Sequence, residues 1–81
     1  MIKVGFFGRL RDSLGDEREI ALEPGETVAA LRQRLARLEP GAEAELLRPG
    51  VRACVADTIV GEDFLLDGRE RLEFLPPLSG G

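Results

Sequence analysis

One long amphipathic helix, with no second to pair with it, most limits what this chain can fold into. Val28, Leu31, Leu35 and Leu38 fall at i, i+3, i+7 and i+10, a single apolar stripe. Thr27 is placed as its N-cap and Pro40-Gly41 as its stop. A lone stripe has to be buried against something else. The remaining apolar segments alternate as strands do, so the partner is a sheet. Ile2-Lys3-Val4-Gly5-Phe6-Phe7 puts Ile2, Val4 and Phe6 on one side and Lys3, Gly5 and Phe7 on the other. Glu17 to Leu22 directs Ile20 and Leu22 inward. The link between these two strands, including a short helical turn over Leu10 and Leu14 closed by a left-handed Gly15, is too short for a parallel crossover and predicts an antiparallel hairpin.

After the helix, Ala42 to Leu47 reads as one further helical turn. Val51 to Ala56 reads as a third strand, with Val51, Ala53 and Val55 on one face. Asp57 sits in a tight turn into the short strand Thr58-Ile59-Val60. Arg71 to Leu75 is the last strand, with Leu72 and Phe74 inward. The order β-β-α-β-β-β with one main helix predicts a two-layer α+β domain. Its expected core is Ile2, Val4, Phe6, Ile20, Leu22, Val28, Leu31, Leu35, Leu38, Val51, Val55, Leu72 and Phe74.

Charge and composition exclude several functions. With 11 Lys and Arg against 15 Asp and Glu, the net charge of −4 disfavours nucleic acid, whose phosphates need clustered cations, and suits a basic protein partner. No apolar segment is long enough to span a bilayer and no signal peptide is evident, so the cytoplasm is the expected compartment. There is no histidine and one cysteine, Cys54. Ser-His and Cys-His nucleophiles, an internal disulfide and a zinc site are therefore excluded. Cys54 is expected to be an inert, partly covered thiol on the sheet face away from the helix. Arg32, Gln33, Arg34 and Arg37 are expected to form a solvated helix face rather than an anion site.

The chain ends Pro76-Pro77-Leu78-Ser79-Gly80-Gly81. Proline lacks an N–H and has a fixed φ, so Pro76 and Pro77 end the strand and keep the path extended. Six extended residues reach at most about 20 Å, enough to carry a terminal carboxylate into another protein. Gly80 and Gly81 have no side chain to obstruct a narrow channel. Residues 1–75 are therefore expected to form the folded domain and 76–81 a flexible extended tail. Phe7 and Leu75, both pointing away from the helix, are candidates for an apolar docking patch at the root of that tail.

These segments resemble the β-grasp, ubiquitin-like arrangement, and within it the small, sulfur-carrier subunit of molybdopterin synthase. The likeness rests on Ile2 to Gly8, Thr27-Val28-Ala29-Ala30-Leu31, Leu66-Asp67-Gly68, and Leu72 through Gly81. The chain departs from the family pattern at Ala56-Asp57, where a Val-Asn-like pair is usual, and at Leu75, where an aromatic residue is common. The resemblance implies that Gly81 becomes an acyl-adenylate, then a thiocarboxylate, and donates sulfur to cyclic pyranopterin monophosphate. Leu78, Ser79 and Gly80, with the two prolines, would thread the partner's channel. The implied partners are the large synthase subunit, an adenylyltransferase similar to ubiquitin-activating enzymes, and a sulfur donor. ATP and Mg would be used by the activating partner, with no cofactor or metal held stably by this chain. Two other readings share the activated terminus: a thiamine-pathway sulfur carrier, and a ubiquitin-like modifier conjugated through Gly81. A plain interaction module with a passive tail is a third.

Overall fold

A computed structural model describes residues 1–77 of the chain. The strands are β1 (Ile2–Phe6), β2 (Glu17–Ile20), β3 (Arg52–Val55), β4 (Thr58–Val60) and β5 (Leu72–Leu75). The helices are α1 (Leu10–Leu14), α2 (Val28–Leu38) and the short α3 (Glu43–Leu46), the last preceded by a 3-10 turn at Pro40–Ala42. The five strands form one sheet in the order β2-β1-β5-β3-β4. β1 pairs antiparallel with β2 and parallel with β5, and β3 pairs antiparallel with β5 and β4. This is the mixed-sheet, one-main-helix β-grasp expected from the sequence. The hairpin between β1 and β2 is present, with Ile2 opposite Ile20.

The inward faces follow the alternation. Ile2, Val4, Phe6, Val28, Leu31, Leu35, Leu72 and Phe74 are almost fully buried, and the Phe6 and Phe74 rings stack with centroids 6.2 Å apart. Leu10, Leu14, Ala36, Ala42, Leu46, Ala53 and Leu66 extend this core beyond the expected set. Leu10 and Leu14 turn a connection into a packed lid at one end. Leu22 is only partly buried against the cluster. Gly15 differs from expectation: its φ of 85° comes with a ψ of −178°, so the turn leaves α1 in an extended rather than a left-handed helical conformation.

Two side chains of α2 exchange their expected places. Leu38 is 61% exposed, whereas Arg32 is 7% exposed. At about 100° per residue, Arg32 lies only about 40° from Val28 on the helical wheel, and Leu38 lies about 80° away on the other side. Ala36, about 80° away on Arg32's side, is buried as well, so the buried face is centred near Val28, takes in Arg32 and leaves Leu38 outside. Arg32 is buried because every polar edge finds a partner. Its Nε and Nη2 donate to the two carboxylate oxygens of Glu62 at 3.0 and 2.7 Å, and Nη1 donates to the Leu46 carbonyl at 2.8 Å. Its guanidinium lies 5.0 Å from the centroid of the Phe74 ring. One arginine thus ties α2, α3, the loop after β4 and β5.

Arg34 is half-buried rather than solvated. Its Nε and Nη2 donate to Glu26 at 2.9 and 2.7 Å, and Nη2 also reaches the Ala21 carbonyl at 2.6 Å. Gln33 and Arg37 are exposed, as expected. The Glu26 side chain is 3% exposed and also accepts from the Glu23 backbone N–H. The hydrogen bonds from Arg34 hold its carboxyl below the usual carboxylate range, with burial acting in the opposite direction.

The first N–H groups of α2 are fully partnered, which fixes the loop after β4. Val28 donates to the Phe64 carbonyl at 3.0 Å, Ala29 to the Glu62 carbonyl at 2.9 Å, and Ala30 to Thr27 Oγ1 at 3.2 Å. Thr27 is therefore the N-cap, but two of its neighbours are capped by a distant loop. The same loop is anchored at its far side by the Leu66 N–H donating to the Glu26 carbonyl.

Replacing Arg32 by Leu leaves the Leu46 carbonyl without its donor and is expected to lower stability by about 2 kcal/mol, measured as a fall in the urea midpoint at constant m-value. Glu26 supplies a pH-dependent part of stability. Its folded-state pKa is depressed, so the unfolded chain binds the proton more readily, and the contribution is present above the unfolded value and lost as pH falls through the folded one. The gap in urea stability between the native chain and Glu26→Gln is expected to be largest near neutral pH and to narrow steadily toward about pH 3.

Candidate functional site

β5 occupies the centre of the sheet, between β1 and β3, so the chain leaves the fold from the middle of the sheet rather than an edge. Its register against β1 pairs Val4 with Leu72, Gly5 with Glu73 and Phe6 with Phe74. The next step along each strand is Phe7 and Leu75. The two residues expected as a docking patch therefore stand side by side at the root of the tail. Phe7 is 38% exposed, and Leu75, opposite Arg52 on β3, is half-buried. Of the expected tail residues, Pro76 and Pro77 are described; Leu78, Ser79, Gly80 and Gly81 lie outside the described residues.

The prolines run between two turns. Gly8, at φ 63° just after β1, lies so close to Pro76 that a Cβ on the glycine would be 3.1 Å from the proline Cβ. Gly50, at φ 95° just before β3, faces Pro77 in the same way, again at 3.1 Å. Beside them is a cleft of about 340 Å³, lined by Phe7, Leu10, Val51 and both prolines. Arg9 and Arg48 stand at this cleft, each near Glu45, at 3.8 and 3.7 Å. These are solvent-exposed pairs of small energetic weight.

The sheet face away from α2 carries its own charge arrangement. Gly5 has no side chain, and the Arg71 guanidinium fills that space; a Cβ on Gly5 would overlap it. Arg71, just before β5, bridges two carboxylates, Glu73 on that strand at 3.0 Å and Glu17 across the sheet on β2. The open face therefore has Phe7 and Leu75 at one end and a paired-ion strip beside them.

Cys54 lies on this face, opposite Glu73 and Ile59, and is 8% exposed. Burial pushes its thiol pKa up, and the carboxylates of Glu73 and Asp57 push in the same direction. A thiol held protonated and covered is a poor nucleophile, as the sequence led one to expect. Ala56 and Asp57, where the chain departs from the family pattern, form the two-residue turn between β3 and β4, both at positive φ. The departure thus falls on a hairpin turn rather than at the root of the tail. Among the described residues no group of three or more His, Cys, Asp or Glu side chains could hold a metal ion, and no helix is long and apolar enough to cross a membrane.

Comparison with known proteins identifies the family. The ThiS family model matches residues 4–81. The chain belongs to this family. It is 37% identical over 82 residues to the molybdopterin synthase sulfur carrier subunit of Escherichia coli strain K12, covering the whole of both chains. Among solved structures it is similar to a putative molybdopterin converting factor, subunit 1, from Pyrococcus furiosus. That match has a TM-score of 0.82 and 27% identity and covers 95% of this chain and 97% of the other. The crystal structure of SAMP1 from Haloferax volcanii superposes equally well, with a TM-score of 0.82 over 99% of this chain and 98% of the other. At 17% identity that likeness speaks for the fold alone.

Sequence reasoning found the prolines, Phe7 and Leu75, but not the glycines that hold the prolines or the arginine that covers Gly5. Gly8 carried a signal, since it immediately follows a strand aimed at the tail. Gly50 carried only an ordinary Pro-Gly turn signature. The covered thiol gives a direct check on the open face: iodoacetamide is expected to alkylate Cys54 at least about tenfold more slowly in the native chain than in urea at the same pH.

Proposed function

We propose that this chain is the sulfur carrier of a molybdopterin synthase, with Gly81 as the reacting residue. The observation that carries the reading is the 37% identity to a sulfur carrier subunit along the full length of both chains. The tail geometry supports it: the Gly-Gly terminus is four residues beyond a proline pair held at the centre of the sheet.

The chemistry asks little of the chain itself. A partner adenylyltransferase joins the Gly81 carboxylate to the α-phosphate of ATP·Mg and releases pyrophosphate. A sulfur donor then attacks the acyl carbon, AMP leaves, and a thiocarboxylate remains. Within the large synthase subunit the thiocarboxylate passes its sulfur to cyclic pyranopterin monophosphate, and two such transfers build a dithiolene. Gly81 has no side chain, so both faces of its carbonyl are open to attack. Gly80, Ser79 and Leu78 occupy the partner's channel, and Pro76 and Pro77 reduce the entropy lost on ordering the tail. Phe7 and Leu75 dock the domain, residues 1–75, against the partner while residues 76–81 reach inside. The chain has no histidine, and its thiol is covered, so proton transfer and oxyanion stabilisation fall to the partners. The reading places the chain in the cytoplasm with those partners.

Incubating the chain with its adenylating enzyme, ATP, Mg and a sulfide source is expected to raise its intact mass by about 16 Da, one oxygen replaced by sulfur. Deleting Gly81 is expected to abolish the gain. No gain, with the enzyme shown active on another carrier, would overturn the reading. A gain consumed by a thiazole-forming system but not by the large subunit with cyclic pyranopterin monophosphate would move the chain to the thiamine pathway. Recovery of the chain in amide linkage to lysines would make it a modifier.

A further inference from the structure

We infer that Gly8 and Gly50 are positioning residues for the activation of Gly81: together they form a two-point seat for Pro76 and Pro77 that sets the direction in which the tail leaves the sheet. This rests on the sulfur-carrier reading above.

The two glycines come from the turns that flank β5 on either side, one at the end of β1 and one at the start of β3. Each faces a different proline, and each has room for a hydrogen but not for an unstrained methyl, with 3.1 Å between the would-be Cβ and the proline Cβ in both cases. A turn that only needs positive φ does not need this proximity. Gly15 and Gly25 have φ of 85° and 70°, yet nothing lies within 4 Å of a Cβ built on either. Gly68, at φ 82°, is crowded as well, but by the Met1 carbonyl oxygen at 3.3 Å; Gly8 and Gly50 differ in that what they crowd is a proline of the tail.

Prolines have no N–H to join a ladder, so side-chain contact is what orients them once β5 ends at Leu75. Four residues follow Pro77. They span at most about 14 Å, and a change of about 30° in direction at Pro77 moves the far end by about 7 Å. Misplacement of even about 1 Å can cost a reaction about a hundredfold. A methyl at either glycine would push its proline by a few tenths of an ångström and tilt the tail's origin. The fraction of chains presenting Gly81 productively would fall, and the apparent affinity for the partner would fall in proportion.

The experiment is ATP–pyrophosphate exchange with the full chain and its adenylating enzyme, reading kcat and KM. Gly50→Ala is compared with Gly25→Ala, which carries the same positive-φ penalty at an open position. Gly50→Ala is expected to raise KM about tenfold with kcat nearly unchanged, while Gly25→Ala stays within about twofold. In a Pro77→Gly background, which removes the proline Cβ, the further Gly50→Ala change is expected to cost less than about threefold, because the clash it acts through is gone. Gly8→Asn adds a Cβ with a residue that tolerates positive φ, and is expected to raise KM as well even if Gly50→Ala folds poorly. An NMR cross-peak between the Gly50 Hα and the Pro77 ring is expected in the native chain, independent of any enzyme. Gly50→Ala and Gly8→Asn both behaving like Gly25→Ala, strict additivity with Pro77→Gly, or no cross-peak would each overturn the proposal while leaving the sulfur-carrier reading intact. No exchange with the native chain, by an enzyme active on another carrier, would remove that reading and the proposal with it.

Discussion

The structure depends on β5 being taken into the middle of the sheet. This last strand bonds to β1 on one side and β3 on the other, and Leu72 and Phe74 are fully buried beneath it. Without it, the β1–β2 and β3–β4 hairpins would be separate two-stranded units, which are marginal alone. With it, the strand that precedes the tail is held along both of its edges. A tail that begins there starts from a fixed point, whereas one leaving an edge strand would inherit that strand's fraying. Parallel pairing with β1 has a second effect. It runs Phe6–Phe7 and Phe74–Leu75 in the same direction, so both strands deliver their outward residues to the end where the tail emerges.

Holding a short central strand in place requires a well-tied helix layer, and partly buried ion pairs do much of that work here. A buried charge is tolerated only when its polar edges are filled. Arg32 meets this with a two-pronged bond to Glu62, a backbone carbonyl and an aromatic face. Arg34 and Glu26 meet it with another two-pronged pair. Each pair spans distant segments: Arg32 reaches a residue 30 positions away, and Arg34 one 8 positions away. The arginines join the loop after β4 and the segment before α2 to the helix, while the N–H groups at the start of α2 bond that loop directly. Among the described residues no buried side-chain N or O lacks a partner. The layer is thus closed by polar contacts of fixed geometry, which resist sliding in a way that apolar contacts alone do not.

This explains which parts of the molecule were legible in the sequence. Alternation and helical spacing are local, and they gave the hairpin, the main helix with its Thr27 cap, the inward faces of β1 and β5, and the tight turn at Asp57. The choice between Leu38 and Arg32 for the core was not local. Hydrophobicity favoured Leu38, but the wheel angle favoured Arg32, and a carboxylate 30 residues away decided the outcome. The segment from Gly61 to Leu66 has no strand or helix period because its backbone caps a helix elsewhere. Leu66 consequently enters the core with no pattern to announce it. At the candidate site the sequence displayed the residues that reach outward, Phe7, Leu75 and the prolines. The residues that hold them, Gly8, Gly50 and Arg71 over Gly5, act through the absence of a side chain or through a contact across the sheet. Beyond the turn signals at Gly8 and Gly50, neither leaves a mark in a one-dimensional pattern.

The division of labour follows from what the chain lacks as well as from what it fixes. It has no histidine, its one thiol is covered and held protonated, and Arg32 and Arg34 are already committed to carboxylates. None of these groups is free to move a proton or stabilise a developing charge. On the proposed reading the Gly81 carboxylate needs activation, and the activating groups come from a partner. What such a chain can contribute is placement, because an acyl group delivered in a narrow range of directions reaches a partner's catalytic groups without a search. On that reading, rigidity at the centre of the sheet and crowding at the two glycines become parts of one requirement: the partner supplies the chemistry, and this fold supplies the aim.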